Sequence, residues 1–322
     1  MSNQLTATRL FAAIERQRAP HAILVTGPEG SDASGLVQRA AAIYCLGTDD
    51  AAQLKNCPDY IELGPKVIPV NEIRAMQAEL GARSYSGRRA VALLEAHSMA
   101  ESAQNALLKT LEEPPANTLL LLAGLEAGLL PTIRSRCAIL RLGAEPEGEM
   151  LSRMAQEDIE PRLAQLGMRL SDGAPLLAEL LATPAHEAFY HQAANLFFTA
   201  LTARTPPYPA MAELLGVAVA PPEEGRKATE ERRITARYCL RIWQSLCRDL
   251  LHVQLGLADM QNPEQAARLR ERAQCFTIGR IQGIIDLVLS AQVRVLAANP
   301  SLTMDALLTE LYCPADTPGR DK

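Results

Sequence analysis

The chain has 322 residues, enough for two or three domains with sizeable cores. Its 37 acidic residues outnumber 32 Lys and Arg, and the net charge of -5 excludes a protein that grips nucleic acid with its whole surface, leaving room only for a local basic patch. With 48% hydrophobic and only 4% aromatic residues, no apolar leader and no long apolar run, the composition predicts a soluble, helix-leaning, cytoplasmic protein that does not span a membrane.

Five short apolar runs punctuate the first 142 residues: AILVT (22–26), YIEL (60–63), AVALLE (90–95), TLLLLAG (118–124) and AILRL (138–142). Continuous apolar strands alternating with helical stretches are what a parallel sheet covered on both faces requires, so this part reads as a doubly wound α/β domain. The stretch after the first run places Leu36, Val37, Ala40 and Ile43 at helical spacing. VNEIRAMQAELGAR does the same with Ile73, Met76 and Leu80, and SMAESAQNALLKTLEEPP with Leu107, Leu108 and Leu111 before Pro114-Pro115 ends it. From 143 to 185 the patterns are short and helical, and from 186 onward longer helices are interrupted at ARTPPYP and APPEEGR. Three domains are expected: 1–142, α/β; 143–185, small and helical; 186–322, all helical.

Residues 27–36, GPEGSDASGL, outline a phosphate-binding loop with its working parts replaced. In GxxxxGK[ST] the backbone curls around phosphates, the Lys reaches the terminal phosphates and the hydroxyl holds magnesium. Gly27 and Ser34 keep the frame and Gly30 lies within the loop, but Asp32 stands at the second glycine and Ala33 at the lysine. A carboxylate replaces a cation, which predicts poor or no nucleotide binding. The plainer reading of the same residues is a Gly-Pro turn from strand to helix, with Asp32 or Ser31 capping the helix.

The seven cysteines, at 45, 57, 137, 239, 247, 275 and 313, are scattered and odd in number, as expected of reduced thiols. Cys45 and Cys57 lack the second pair that a tetrahedral zinc shell needs, so no metal is expected. Arg233, Arg237 and Arg241 recur at every fourth position opposite Ile234, Leu240 and Trp243, either as a solvated helix face or as a contact for a subunit or DNA.

HAILVTGPEG, AVALLEAHSMAESAQNALLKTLEEPP and PTIRSRC, in that order, resemble the clamp-loader branch of the AAA+ ATPases, as found in bacterial DNA polymerase III. NALLKTLEEPP (105–115) and the SRC motif Ser135-Arg136-Cys137 carry the resemblance. It implies a P-loop-type AAA+ parallel-sheet domain, a small helical lid and an all-helical C-terminal collar through which subunits assemble. Motor subunits of that family end the strand before the signature helix in Asp-Glu, where this chain has Leu94-Glu95; their polar sensor falls on LLAG (121–124), and their lid arginine on Gly173-Ala174-Pro175.

These departures, together with the resemblance, imply a subunit without its own ATPase and with neither ATP nor zinc as cofactor. Arg136 matches the family's arginine finger, inserted in trans into a neighbour's ATP site; guanidinium suits that task because it is always charged and meets phosphate oxygens with a fork of donors. Ser135 and Cys137 are expected to set the turn and pack, and Arg134 to be structural. The implied partners are gamma/tau and delta subunits, with the sliding clamp and primer-template DNA reached through the complex. The alternative is an active gamma/tau-type motor with an unusual P-loop, and Ala33 with Leu94 is the feature that discriminates between the two.

Overall fold

The computed structural model describes residues 3–64, 67–220 and 226–312. Cys313 and most of the APPEEGR loop lie outside the described residues. Two compact units are present, Met1–Glu157 with Ser171–Ala178 and Asp158–Leu170 with Glu179–Lys322, so segment 143–185 is shared between them.

The first unit runs α1 (Asn3–Glu15), β1 (Ala22–Thr26), α2 (Ala33–Leu46), β2 (Tyr60–Leu63), α3 (Val70–Leu80), β3 (Arg89–Leu93), α4 (Glu101–Glu112), β4 (Thr118–Ala123), α5 (Pro131–Arg134), β5 (Ala138–Arg141) and α6 (Glu147–Gln156). All strand pairs are parallel, in the order β2-β3-β4-β1-β5. β1, β3 and β4 are buried along their whole length, as strands with helices on both faces must be.

Their period-two alternation sorts the core into two layers. Ile23, Val25, Ala90, Ala92, Leu119 and Leu121 face Leu36, Val37 and Ala40 of α2. Leu24, Val91, Leu93, Leu120 and Leu122 face Ile73, Leu107 and Ile133 of α3, α4 and α5. The helix after β1 thus covers one face and the helices after β2, β3 and β4 the other. Neighbouring β1 and β4 form a topological switch, and the carboxyl end of such a sheet is where ligands of open α/β folds sit.

A buried ion pair that the sequence patterns did not reveal braces β2 against β3. Asp59 accepts hydrogen bonds from the Tyr85 and Ser86 amides at 2.9 and 2.6 Å and lies 3.7 Å from Arg89. Arg89 in turn donates to the carbonyls of Glu79, Ala82 and Arg83, closing the end of α3.

The second unit is helical among its described residues. α7 (Pro161–Leu170) belongs to it, and α8 (Pro175–Leu181) divides between the units at Ala178. It continues with α9 (Pro184–Ala200), α10 (Tyr208–Leu214), α11 (Ala228–Gln254), α12 (Ala266–Ala273), α13 (Ile278–Ala297) and α14 (Pro300–Tyr312). Thr183 caps α9 and Thr277 caps α13 through their side chains, with Pro184 at the first turn of α9. The core is built on α11, whose Trp243 packs on Phe197 with ring centroids 5.5 Å apart and donates its indole N–H to the Ala193 carbonyl at 2.9 Å. No helix among the described residues is long and apolar enough to cross a membrane.

Candidate functional site: a closed nucleotide loop and an anchored arginine

The loop after β1 folds as a tight turn, with the Ser31 amide donating to the Pro28 carbonyl at 2.9 Å. Of the two capping residues expected for α2, Asp32 takes the role: its carboxylate accepts from the Gly35 amide at 3.1 Å. An internal carboxylate therefore occupies the helix N-terminus where a phosphate-binding loop would present its amides to an anion. Burial raises the Asp32 pKa above the usual carboxylate range, while the Gly35 amide and the Arg153 and Arg39 guanidiniums pull it down.

Gly27 and Gly30 are held where a side chain has no room. A Cβ on Gly27 would meet Ser31 Oγ at 2.6 Å, and Gly30, at φ +82°, has Leu177 Cβ 2.5 Å from its own ideal Cβ position. The Gly30 carbonyl also accepts from the Leu176 amide at 2.9 Å, so the start of α8 lies directly on the loop. Beside it, a cleft of about 570 Å³ is lined by Asp32, Glu145 and Glu149 against Arg39 and Arg153. Both guanidiniums are already committed, Arg39 to Asp49 at 3.2 Å and Arg153 to Glu145 at 3.1 Å.

Ala33 opens α2 as a buried residue, and Leu94 lies one residue past β3 with its amide bonded to the Leu63 carbonyl at 2.8 Å. Both belong to the same apolar cluster, with Leu36 and Leu142. The strand expected to continue through 95 stops at Leu93 because Glu95 turns the chain with a left-handed φ of 53° and points its exposed side chain away. Ser34 is carried into the first turn of α2. Within the LLAG stretch a Cβ on Gly124 would meet His97 Nδ1 at 2.8 Å, and Gly173, at φ +80°, packs on Ala144 while its carbonyl accepts from the Glu145 amide at 2.8 Å. These residues do not fit magnesium nucleotide: the cation position is buried and apolar, the metal-carboxylate position is buried and apolar, and the added charge is negative.

Arg136 is different. It follows the short α5 and is 35% exposed. One guanidinium nitrogen donates to the Thr132 carbonyl at 3.0 Å, and the other lies 2.6 Å from a carboxylate oxygen of Glu112, the last residue of α4. Ser135 donates its hydroxyl to the Thr132 carbonyl at 3.0 Å, and Cys137 packs against the α3–α4 face, where burial pushes its thiol up to about 11. Arg134 turns to Glu126 at 3.7 Å, beside the paired contacts of Arg141 with the same carboxylate.

The signature helix holds this segment from both ends. At its start, buried Gln104 donates to the Met99 and Gly128 carbonyls and accepts from the Leu130 amide at 2.8 Å, fixing the entry to α5; at its end stands Glu112. Neither residue was singled out from the sequence, although both lie in the stretch that carried the resemblance.

Cys45 and Cys57 are both half-buried free thiols. Cys45 donates weakly to the Asp59 carbonyl at 3.6 Å, and burial, with the neighbouring Cys57, pushes its thiol up to about 12. The nearby acids are engaged elsewhere: Asp49 with Arg39, Asp50 with the Ala52 amide, and Asp59 with Tyr85 and Ser86. Among the described residues no three His, Cys, Asp or Glu side chains converge as a metal shell, and two thiols alone do not fit tetrahedral zinc.

The arginine stripe of α11 also points inward in part. Arg233 donates to the Val295 and Ala298 carbonyls at the end of α13, and Arg241 to the Leu170 carbonyl at the end of α7. Two of the three side chains therefore close the carboxyl ends of neighbouring helices.

Comparison with known proteins yields a consistent group. Residues 2–146 match the family model described as DNA polymerase III, delta subunit. The chain is 38% identical over 187 residues to DNA polymerase III subunit delta' of Pseudomonas aeruginosa, covering 52% of this chain and 57% of that one. It is 32% identical to the subunit of the same name from Escherichia coli K12, covering 52% and 56%. The chain thus spans about half the length of the curated relatives it matches, and over that half it is similar to bacterial DNA polymerase III delta' subunits. Among solved structures, a DNA polymerase III gamma subunit-related protein of Thermotoga maritima overlays with a TM-score of 0.47 at 20% identity, covering 95% of this chain and 98% of that one.

Proposed function

We propose that the chain is a non-hydrolysing subunit of the bacterial DNA polymerase III clamp loader. It takes its place beside gamma/tau and delta subunits, contributes Arg136 in trans to a neighbour's ATP site and reaches the sliding clamp and primed DNA through the assembly. Residues 1–142 serve as the AAA+ domain, 143–185 as its lid and 186–322 as the collar, in the cytoplasm and without ATP or zinc bound to this chain.

The observation that carries this reading is the contrast between two places in one domain. Ala33 and Leu94 are absorbed into the core, whereas Arg136 is kept at the surface on two anchors. A domain that hydrolysed ATP would need the cation and the metal carboxylate together, and losing both removes charge stabilisation worth several orders of magnitude in rate. A guanidinium offered from outside needs neither. It stabilises charge developing on a phosphoryl group bound by the adjoining subunit, in a site that this chain completes.

The test has two arms. Calorimetry with magnesium ATP on the isolated chain is expected to show no binding in the micromolar range, and size-exclusion chromatography with gamma/tau and delta subunits is expected to show co-elution. Micromolar binding accompanied by hydrolysis contradicts the non-hydrolysing reading, and separate elution contradicts the subunit reading.

A further inference from the structure

We infer that Glu112 is a positioning residue for Arg136, holding its guanidinium ready for the neighbour's phosphate; the inference rests on the finger assignment proposed above. The starting observation is a misplaced charge. Glu112 is the final residue of α4, where the carbonyl end of the helix carries partial negative charge and disfavours a carboxylate. Its oxygen lies 2.6 Å from Arg136, which adds a countercharge from 24 residues further along the chain to that of Lys109 in the last turn of the helix.

The geometry separates anchoring from sequestration. A guanidinium has five N–H donors, and two of them are engaged here, one by the Thr132 carbonyl and one by Glu112. Three remain for phosphate oxygens while both anchors stay in place. The pair is half open to water, with 35% of the arginine and 50% of the glutamate side chain exposed, so solvent screens it. Such a pair is too weak to withhold the finger from a phosphate, but it narrows the rotamers of a long side chain whose flexibility otherwise has to be lost on engagement. Glu112 therefore acts before chemistry and touches no substrate.

The test is a double-mutant cycle in the assembled clamp-loader complex, made with Glu112→Ala, Glu112→Gln, Arg136→Ala and the Glu112→Ala/Arg136→Ala pair, reading steady-state ATPase. Glu112→Ala is expected to lower the Arg136-dependent kcat by about two- to fivefold, the scale of an exposed ion pair, with KM for ATP unchanged. Glu112→Gln keeps an acceptor oxygen and is expected to recover part of that loss. In the Arg136→Ala background Glu112→Ala is expected to cost nothing further, because there is no longer a finger to place. Wild-type kcat for Glu112→Ala beside a deficient Arg136→Ala overturns this inference alone. Losses that multiply in the double variant overturn it too, since they reveal a role independent of Arg136. Wild-type rate with Arg136→Ala overturns the finger assignment and this inference with it.

Discussion

Ala33 at the start of α2 and Leu94 just beyond β3 lie in one buried apolar cluster, at 9% and 5% exposure. Reinstating the lysine of a phosphate loop therefore means putting an ammonium into a packed core. Ala33→Lys is expected to lower stability by about 1–3 kcal/mol through overpacking and desolvation, and to produce no ATPase, since Asp32 and Leu94 remain. Thermal unfolding together with a phosphate-release assay checks both parts; turnover by this single variant contradicts the account of the loop.

Asp59 is expected to govern the acid sensitivity of the first unit. Burial raises its pKa, but the Ser86 and Tyr85 amides and Arg89 more than offset this, leaving it below the ordinary carboxylate range. A depressed folded pKa means stability that is present above the unfolded carboxylate pKa and is lost as pH falls through the folded value. Asp59→Ala is expected to cost about 3 kcal/mol at neutral pH, the low end for a broken buried pair because Arg89 keeps three carbonyl acceptors. The gap between variant and wild type should narrow in strong acid. Unfolding midpoints measured from neutral pH downward decide this, and a gap that stays constant contradicts it.

The arginines of α11 yield a stability prediction. Arg233→Ala and Arg241→Ala each remove a cation from a helix carboxyl end, at about 1 kcal/mol. Denaturant titration should show the loss in the isolated chain. Unchanged stability with failed assembly would instead favour the contact reading of that stripe.

Purified chain is expected to carry no stoichiometric zinc. Cys45 and Cys57 offer half of a tetrahedral shell, and Asp49, Asp50 and Asp59 are held by other partners. Elemental analysis is sufficient, and one zinc per chain contradicts the expectation.

What could be read in the sequence was the local part of this architecture. The limits of β1 coincide with its apolar run because burial on both faces leaves a continuous signal, and those of β2 coincide with YIEL although Glu62 is exposed. β3 ends before its run does, because the left-handed turn at Glu95 follows from tertiary packing rather than from composition. The absence of lysine at 33 and of aspartate at 94 was plain, but whether those positions stayed polar and open or joined the core depended on which residues pack there. The choice between Ser31 and Asp32 as cap needed the backbone geometry. Arg233 meets a carbonyl 62 residues away, and Asp59 meets amides 26 and 27 residues away, separations at which periodicity carries no information. Glu112 stood within the most recognisable motif of the chain, yet its link to Arg136 exists only once α4 and α5 are folded together.

The most direct test of the central claim is the ATPase of the assembled complex carrying Arg136→Ala, measured with clamp and primed DNA beside a check of assembly. The isolated variant should fold, because the ion pair it loses is exposed and worth about 0–1 kcal/mol. Finger arginines contribute on the order of a thousandfold or more at a single site, although ATP sites served by other subunits will dilute the loss in the whole complex. Arg136→Lys should recover only part of the rate, since ammonium keeps the charge without the planar fork. The account predicts an intact complex with sharply reduced hydrolysis and clamp loading; an intact complex that hydrolyses ATP and loads clamps at the wild-type rate would contradict it.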